Sequence, residues 1–138
     1  MKPSDNDAFL PMPTFGKSER LCSIVEISKL FNTGYTLSKY PLKLKWLPGD
    51  WNNNHQLKVV ISVSSHKFKK ATDRNRIKRL LRECFRLNKF VLTDGLKGGR
   101  CYLAILYTGS DLPEFKEIEV ILFGLFHRLI DEYGKNTD

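Results

Sequence analysis

The sequence lacks the features that mark a membrane, secreted or zinc-binding protein. No apolar run reaches the roughly 18 residues that a membrane-spanning helix needs. The segment Met1–Asp7 lacks the basic-then-apolar order of a signal peptide, so we expect a cytoplasmic protein. The three cysteines, Cys22, Cys84 and Cys101, form no C-x-x-C pair, which argues against a zinc ribbon and a disulfide framework. Cys84 and Cys101 lie in apolar patterns and are expected in the core.

Acidic residues are also scarce, with 15 Asp and Glu against 23 Lys and Arg and a net charge of +8. They are scattered along the chain, without the carboxylate cluster that metal-dependent phosphodiester cleavage needs. No glycine-rich phosphate loop or Ser-His-Asp pattern is present. Of the histidines, only His66 lies among basic residues, where we expect it to add hydrogen bonds. The sequence therefore predicts no catalytic residue and no metal site, and a polyanionic partner, with an acidic membrane surface as the alternative.

The chain of 138 residues, 41% of them hydrophobic, is the right size for one domain with a buried core. We expect a flexible segment at residues 1–13 and a single domain at 14–138. The order of the predicted elements is α-β-β-β-α-β-α, an α+β two-layer sandwich. Periodicity predicts these elements at Ser18–Asn32 (helix), Tyr35–Ser38, Leu42–Trp46 and Leu57–Ser64 (strands), Asp73–Arg86 (a basic helix), Arg100–Tyr107 (strand), and after Pro113 (a last helix).

Two of these strands carry further expectations. Leu42–Trp46 alternates apolar and polar residues, as in a strand with one exposed face. We expect it to form an antiparallel hairpin with Leu57–Ser64 across the turn-forming residues 48–54. The run Arg100–Tyr107 is continuously apolar after its first residue and is expected to be buried on both sides.

The most informative stretch is the basic helix that covers Asp73–Arg86. At about 100° per residue, one side is apolar and can face a core. The apolar side comprises Ile77, Leu80, Leu81, Cys84, Leu87 and Val91. The opposite side comprises Arg74, Asn75, Lys78, Arg79, Arg82 and Arg86, with Arg76 at the boundary. This distribution predicts a helix that packs on one side and presents cations on the other.

The expected start of this helix also favours an anionic ligand. Thr72 or Asp73 is predicted as the N-cap, and Arg74 and Arg76 follow at once. Cations there oppose the helix dipole, at a cost of about 0.3–1 kcal/mol each when exposed. N–H groups and guanidinium groups that converge on one point form a phosphate site. The alternative is a solvated basic face on an ordinary amphipathic helix, but the arginines favour nucleic-acid binding.

The motif RNRIKRLLRE at Arg74–Glu83, with a strand-like VISV run before it, resembles the motif of the bacterial ribonuclease P protein component. The resemblance extends from about Lys17 to Tyr133. It implies a fold like ribosomal protein S5 domain 2, with a left-handed crossover in its βαβ unit. Patterning alone predicts a right-handed crossover. It also implies that Ile27 and Phe31 of the first helix project toward the sheet.

The resemblance implies a function as well. In ribonuclease P the RNA subunit is the catalyst, and the protein binds this RNA, contacts the 5′ leader of precursor tRNA, and helps metal ions act. Magnesium is then held through the RNA, and the protein alone binds no cofactor and no small-molecule substrate. The RNA-binding residues would be Lys67, Lys69, Lys70, Arg74, Asn75, Arg76, Lys78, Arg79, Arg82 and Arg86. The leader would lie in a cleft between the sheet and the first helix, lined by Phe31, Tyr35, Tyr40 and Lys43.

Two other functions remain open at this point. One is an RNA-binding protein of the ribosome-assembly type, with similar charge and stacking but without a processing role. The other is a DNA-binding protein that places the basic helix in a major groove. The second is disfavoured because no compact helix-turn-helix partner precedes residue 74, and widely spread arginines suit phosphates better than base edges.

Overall fold

The structure is a computed structural model that describes residues 20–21, 23–51 and 55–137. The expected flexible segment 1–13, Lys17 and Cys22 lie outside the described residues. The elements are α1 (Ile24–Thr33), β1 (Tyr35–Lys39), β2 (Leu42–Gly49), β3 (Leu57–Val63), α2 (Ala71–Gly95), β4 (Arg100–Tyr107) and α3 (Phe115–Thr137). Their order confirms the predicted α-β-β-β-α-β-α sequence of an α+β fold.

The four strands form one sheet in the order β1-β2-β4-β3. β1 and β2 form an antiparallel hairpin, and β2 continues antiparallel to β4. β3 pairs parallel with β4, so α2 is the crossover connection of a βαβ unit. The expected hairpin between Leu42–Trp46 and Leu57–Ser64 is therefore wrong, because β4 lies between these two strands. The handedness of the crossover stays a prediction.

The position of β4 explains its composition. A strand with a neighbour on each side and helices over both faces must be apolar throughout. Six of its eight side chains are buried, from Cys101 to Ile105 and again at Tyr107. Burial on both sides was predicted from the run and is confirmed. Cys84 on α2 and Cys101 on β4 are both fully buried, as expected of core residues.

The main core lies between one face of the sheet and the helices α2 and α3. Alternate residues of β2, Leu42, Leu44 and Trp46, point into it and are buried. The apolar side of α2 lines the same core through Ile77, Leu81 and Phe85, among others. Ring contacts such as that between Phe85 and Phe126, with centroids 6.4 Å apart, join α2 to α3.

A second, smaller core lies on the opposite face of the sheet, under α1. It consists of Leu21, Leu30, Tyr102 and Ala104. Ile27 and Phe31 of α1 pack against it, so their predicted orientation toward the sheet is confirmed. The helix is shorter than expected, because it begins at Ile24 rather than Ser18. Ser23 caps it by accepting a hydrogen bond from the Glu26 N–H at 3.3 Å.

Candidate nucleic-acid interface

One end of the sheet brings the start of α2 close to the β1–β2 turn. β3 and β4 both end there, with Val63 paired to Tyr107. The Lys67 ammonium donates to the Thr108 carbonyl, and the Thr108 N–H donates to the Pro41 carbonyl at 2.7 Å. The loop of residues 64–70 leads directly into α2 from this end. The lysines of this loop, the β1–β2 turn and the first turns of α2 therefore lie at the same end of the molecule.

The exposed side of α2 forms the basic face, which we define as Asn75, Arg76, Lys78, Arg79 and Arg82. All of these are exposed except Lys78, which is half-buried. Within the described parts of the chain, Arg76, Arg79 and Arg82 make no hydrogen bond or salt bridge. Three guanidinium groups without an internal partner are available to bind an external anion.

Arg74 behaves differently from the other arginines. Its Nη1 donates to the Phe68 carbonyl at 2.7 Å and to the Lys69 carbonyl at 2.9 Å. The side chain is half-buried and folds back over the loop. Its part in phosphate binding stays a prediction. The structure shows that it fastens the loop that carries Lys69 and Lys70, both of which are exposed.

The start of α2 also differs from the prediction. The N-cap is Lys70, not Thr72 or Asp73, and no side chain caps the helix. Asp73 lies in the first turn, where an acid complements the helix dipole. Arg74 is the fourth residue of α2 and Arg76 the sixth, so the expectation that both arginines crowd the first turn is wrong. Lys69 and Lys70 immediately precede the helix, and the exposed arginines Arg76, Arg79 and Arg82 follow in later turns.

Arg86 has an acidic partner. Its Nε donates to Glu83 Oε2 at 2.8 Å, and its Nη2 forms a salt bridge to the same oxygen. The pair is one turn apart on α2, with both side chains partly exposed. The positive charge of Arg86 is therefore compensated within the protein, unlike that of the arginines of the basic face.

The predicted cleft corresponds to the part of the sheet face beside α1. Because side chains alternate along β2, Lys43 and Lys45 point to the same face as Leu47, which packs on the core under α1. Phe31 reaches this face from α1. We call the space bordered by Phe31, Lys43 and Lys45 the cleft. The structure thus brings Phe31 and Lys43 to one face of the sheet.

The two tyrosines predicted to line the cleft, Tyr35 and Tyr40, are placed differently from Phe31 and Lys43. Tyr35 pairs with Trp46 across the β1–β2 ladder, and their ring centroids are 4.7 Å apart. Trp46 belongs to the main core, so Tyr35 lies on the α3 side of the sheet and cannot line the cleft. Tyr40 lies in the β1–β2 turn, with 69% of its surface exposed, at the end where α2 begins.

Sequence reasoning missed Lys45. This residue lies on the cleft face, half-buried, and its Nζ donates to Thr36 Oγ1 at 3.1 Å. The alternation in Leu42–Trp46 contained the signal, because Lys43 and Lys45 are two residues apart and must share a face.

Comparison with known proteins places this chain in a family. The ribonuclease P family model matches residues 15–129, most of the chain. The chain belongs to the ribonuclease P protein family. The ribonuclease P protein component of Porphyromonas gingivalis strain W83 is 38% identical over 111 residues, which cover 78% of this chain and 81% of that protein. That of Pseudoalteromonas translucida is 40% identical over 75 residues, covering 54% of this chain and 51% of that protein.

Solved structures show the same ribonuclease P protein fold. The ribonuclease P protein of Thermotoga maritima superposes with a TM-score of 0.63 at 23% identity, covering 80% of this chain and 96% of that chain. The Staphylococcus aureus protein superposes with a TM-score of 0.60 at 19% identity, covering 77% and 90%. At these identities the likeness supports the fold alone.

In the part of this ribonuclease P family member that the structure describes, no helix is long and apolar enough to cross a membrane. Nor do three or more His, Cys, Asp or Glu side chains among those residues lie close enough to hold a metal ion.

Proposed function

We propose that this chain is the protein subunit of ribonuclease P, which binds the catalytic RNA subunit and the 5′ leader of precursor tRNA and so assists 5′-end maturation. The observation that carries the proposal is the basic face of α2. Arg76, Arg79 and Arg82 are exposed and have no internal partner among the described residues. Such guanidinium groups bind phosphate through charge and paired hydrogen bonds, and the family supplies an RNA as the partner.

The cleft supports the second half of the proposal. A single strand is bound most readily where cations follow its backbone and an aromatic ring offers a stacking surface. Lys43 and Lys45 supply the cations, and the half-buried ring of Phe31 supplies the surface. Tyr40 is exposed in the β1–β2 turn, at the same end of the sheet as the start of α2. It is suited to stack a base that lies between the basic face and the cleft.

In this proposal the RNA subunit carries out the chemistry and holds magnesium, and the protein contributes binding and charge. Cations beside the leader reduce the repulsion between two RNA chains. The protein therefore lowers the concentration of magnesium that the complex needs. No side chain of the protein is assigned a catalytic role, and the location of the complex is proposed to be the cytoplasm.

Reconstitution tests this function. The protein is added to the ribonuclease P RNA of the same organism at a magnesium concentration at which the RNA alone is inactive, and cleavage of precursor tRNA is followed. Correct 5′ maturation is expected with the wild-type protein and with Lys116→Ala, which removes an exposed lysine on α3. Reduced maturation is expected with the double variant Arg76→Ala, Arg79→Ala. RNA binding without maturation would instead indicate a protein of the ribosome-assembly type.

A further inference from the structure

An acidic side chain lies between α1 and the sheet, beside the proposed leader site. Glu26 of α1 accepts a hydrogen bond from the Tyr102 hydroxyl at 2.8 Å, and its other carboxylate oxygen lies 3.7 Å from Lys58 Nζ. A carboxylate near a bound RNA strand repels it, so Glu26 is unsuited to contact the leader. Its partners instead connect α1 to β4 through Tyr102 and to β3 through Lys58.

The partners of Glu26 are themselves held in place. Trp51 contacts the Tyr102 ring edge-on, with centroids 4.8 Å apart, and its Nε1 donates to the His55 carbonyl at 2.7 Å. Lys58 Nζ lies 5.0 Å from the centroid of the Trp51 ring, in a cation–π contact. Burial, followed by the hydrogen bond to Glu26, raises the pKa of Tyr102 to about 12, so its hydroxyl remains a donor at neutral pH.

The apolar attachment of α1 is limited. Leu30 is its only buried side chain, and Ile27 and Phe31 are half-buried. Ile24 and Val25, in the first turn, are 81% and 77% exposed. Besides the half-buried Ile27 and the buried Leu21 before the helix, whose N–H donates to the Val59 carbonyl at 2.8 Å, polar contacts hold the first half of the helix on the sheet.

We propose that the bracket formed by Glu26, Tyr102 and Lys58 positions α1 for leader binding. The inference rests on the proposed function. The cleft is built from two separate parts, because Phe31 comes from α1, whereas Lys43 and Lys45 come from the sheet. A strand can stack on the ring and pair with the lysines at once only if the distance between the two parts is fixed. The bracket adds a second, polar attachment to the apolar one that Leu30 makes beside Phe31, and its three side chains are positioning residues.

Glu26→Ala separates this role from simple electrostatics, because the two predict opposite changes in the affinity for the leader. Removing a negative charge near RNA would tighten leader binding if charge alone mattered. Loss of the bracket instead weakens leader binding by about three- to tenfold, which corresponds to the contribution of one hydrogen bond. Tyr102→Phe keeps the ring against Trp51 and removes only the hydroxyl, so the same direction and size are expected. In the double variant the losses are not additive, because both changes break one interaction.

The measurement is the affinity of the reconstituted holoenzyme for two precursors, one with a long 5′ leader and one with a single-nucleotide leader. Both variants are expected to lose affinity for the long leader only, with unchanged affinity for the RNA subunit. An equal loss on both precursors would show a general structural role and overturn the proposal. So would unchanged or tighter long-leader binding by Tyr102→Phe. If the wild-type holoenzyme does not distinguish the two precursors, the leader site itself is wrong, and the bracket with it.

Discussion

The guanidinium group of Arg74 is bonded to the carbonyl oxygens of Phe68 and Lys69, at 2.7 and 2.9 Å. One nitrogen thus joins the fourth residue of α2 to the loop before the helix. This contact keeps Lys69 and Lys70 beside the start of the helix. Among the arginines of the RNRIKR segment, Arg74 is the one with a structural role visible in the protein itself.

Arg74→Ala should therefore lower stability, whereas Arg76→Ala should not. Two hydrogen bonds from a charged, half-buried donor are lost in the first variant, and a decrease of about 1–2 kcal/mol in the free energy of unfolding is expected. Arg76 is exposed, and its replacement should change the free energy of unfolding by less than about 0.5 kcal/mol. Urea unfolding of both variants checks this, and equal stabilities would contradict the assigned role of Arg74.

The Arg86–Glu83 pair leads to a second prediction. Because Glu83 compensates the charge of Arg86, Arg86→Ala should weaken binding to the RNA subunit less than Arg82→Ala does. Glu83→Gln should strengthen binding, since in the proposed complex it removes an acid from a helix that faces RNA phosphate. Equilibrium binding to the RNA at constant salt measures all three variants. A larger loss for Arg86→Ala than for Arg82→Ala would show that the pair opens on binding.

The buried cysteines give a prediction about pH. Burial raises the pKa values of Cys84 and Cys101 from 9.0 to about 12. Since the folded values lie above the unfolded one, this contribution to stability is complete below about pH 9 and is lost as the pH rises toward 12. Both thiols should resist alkylation at pH 8 in the native protein and react once it is unfolded in urea. Mass spectrometry assigns the modified residues, and rapid native labelling of Cys101 would contradict the packing of β4.

The sequence predicted the type and order of the elements because each has a clear apolar period. It did not predict the strand order. Two strands that follow each other along the chain suggest a hairpin, which is why the sequence predicts one between Leu42–Trp46 and Leu57–Ser64. The composition of Arg100–Tyr107 indicates the strand order, because a strand that is apolar on both faces belongs in the middle of a sheet.

The candidate site was predictable in part. The helical period places Arg76, Arg79 and Arg82 on the exposed side, as observed. It could not show that Arg74 bonds to loop carbonyls, because that contact depends on the path of residues 68–70. Residue type alone predicts that Tyr35 lines the cleft. Its face is set by the register of β1 on β2, which pairs it with Trp46, and composition does not reveal that register.

The most direct test of the account is the salt dependence of binding between the protein and ribonuclease P RNA. Each phosphate contact that is removed should lower the slope of log K against log salt by roughly one. We expect Arg76→Ala and Arg79→Ala each to weaken binding and reduce the slope by about this amount, with Lys116→Ala unchanged from wild type. If both arginine variants keep the wild-type affinity and slope, the basic face of α2 is not where the RNA binds.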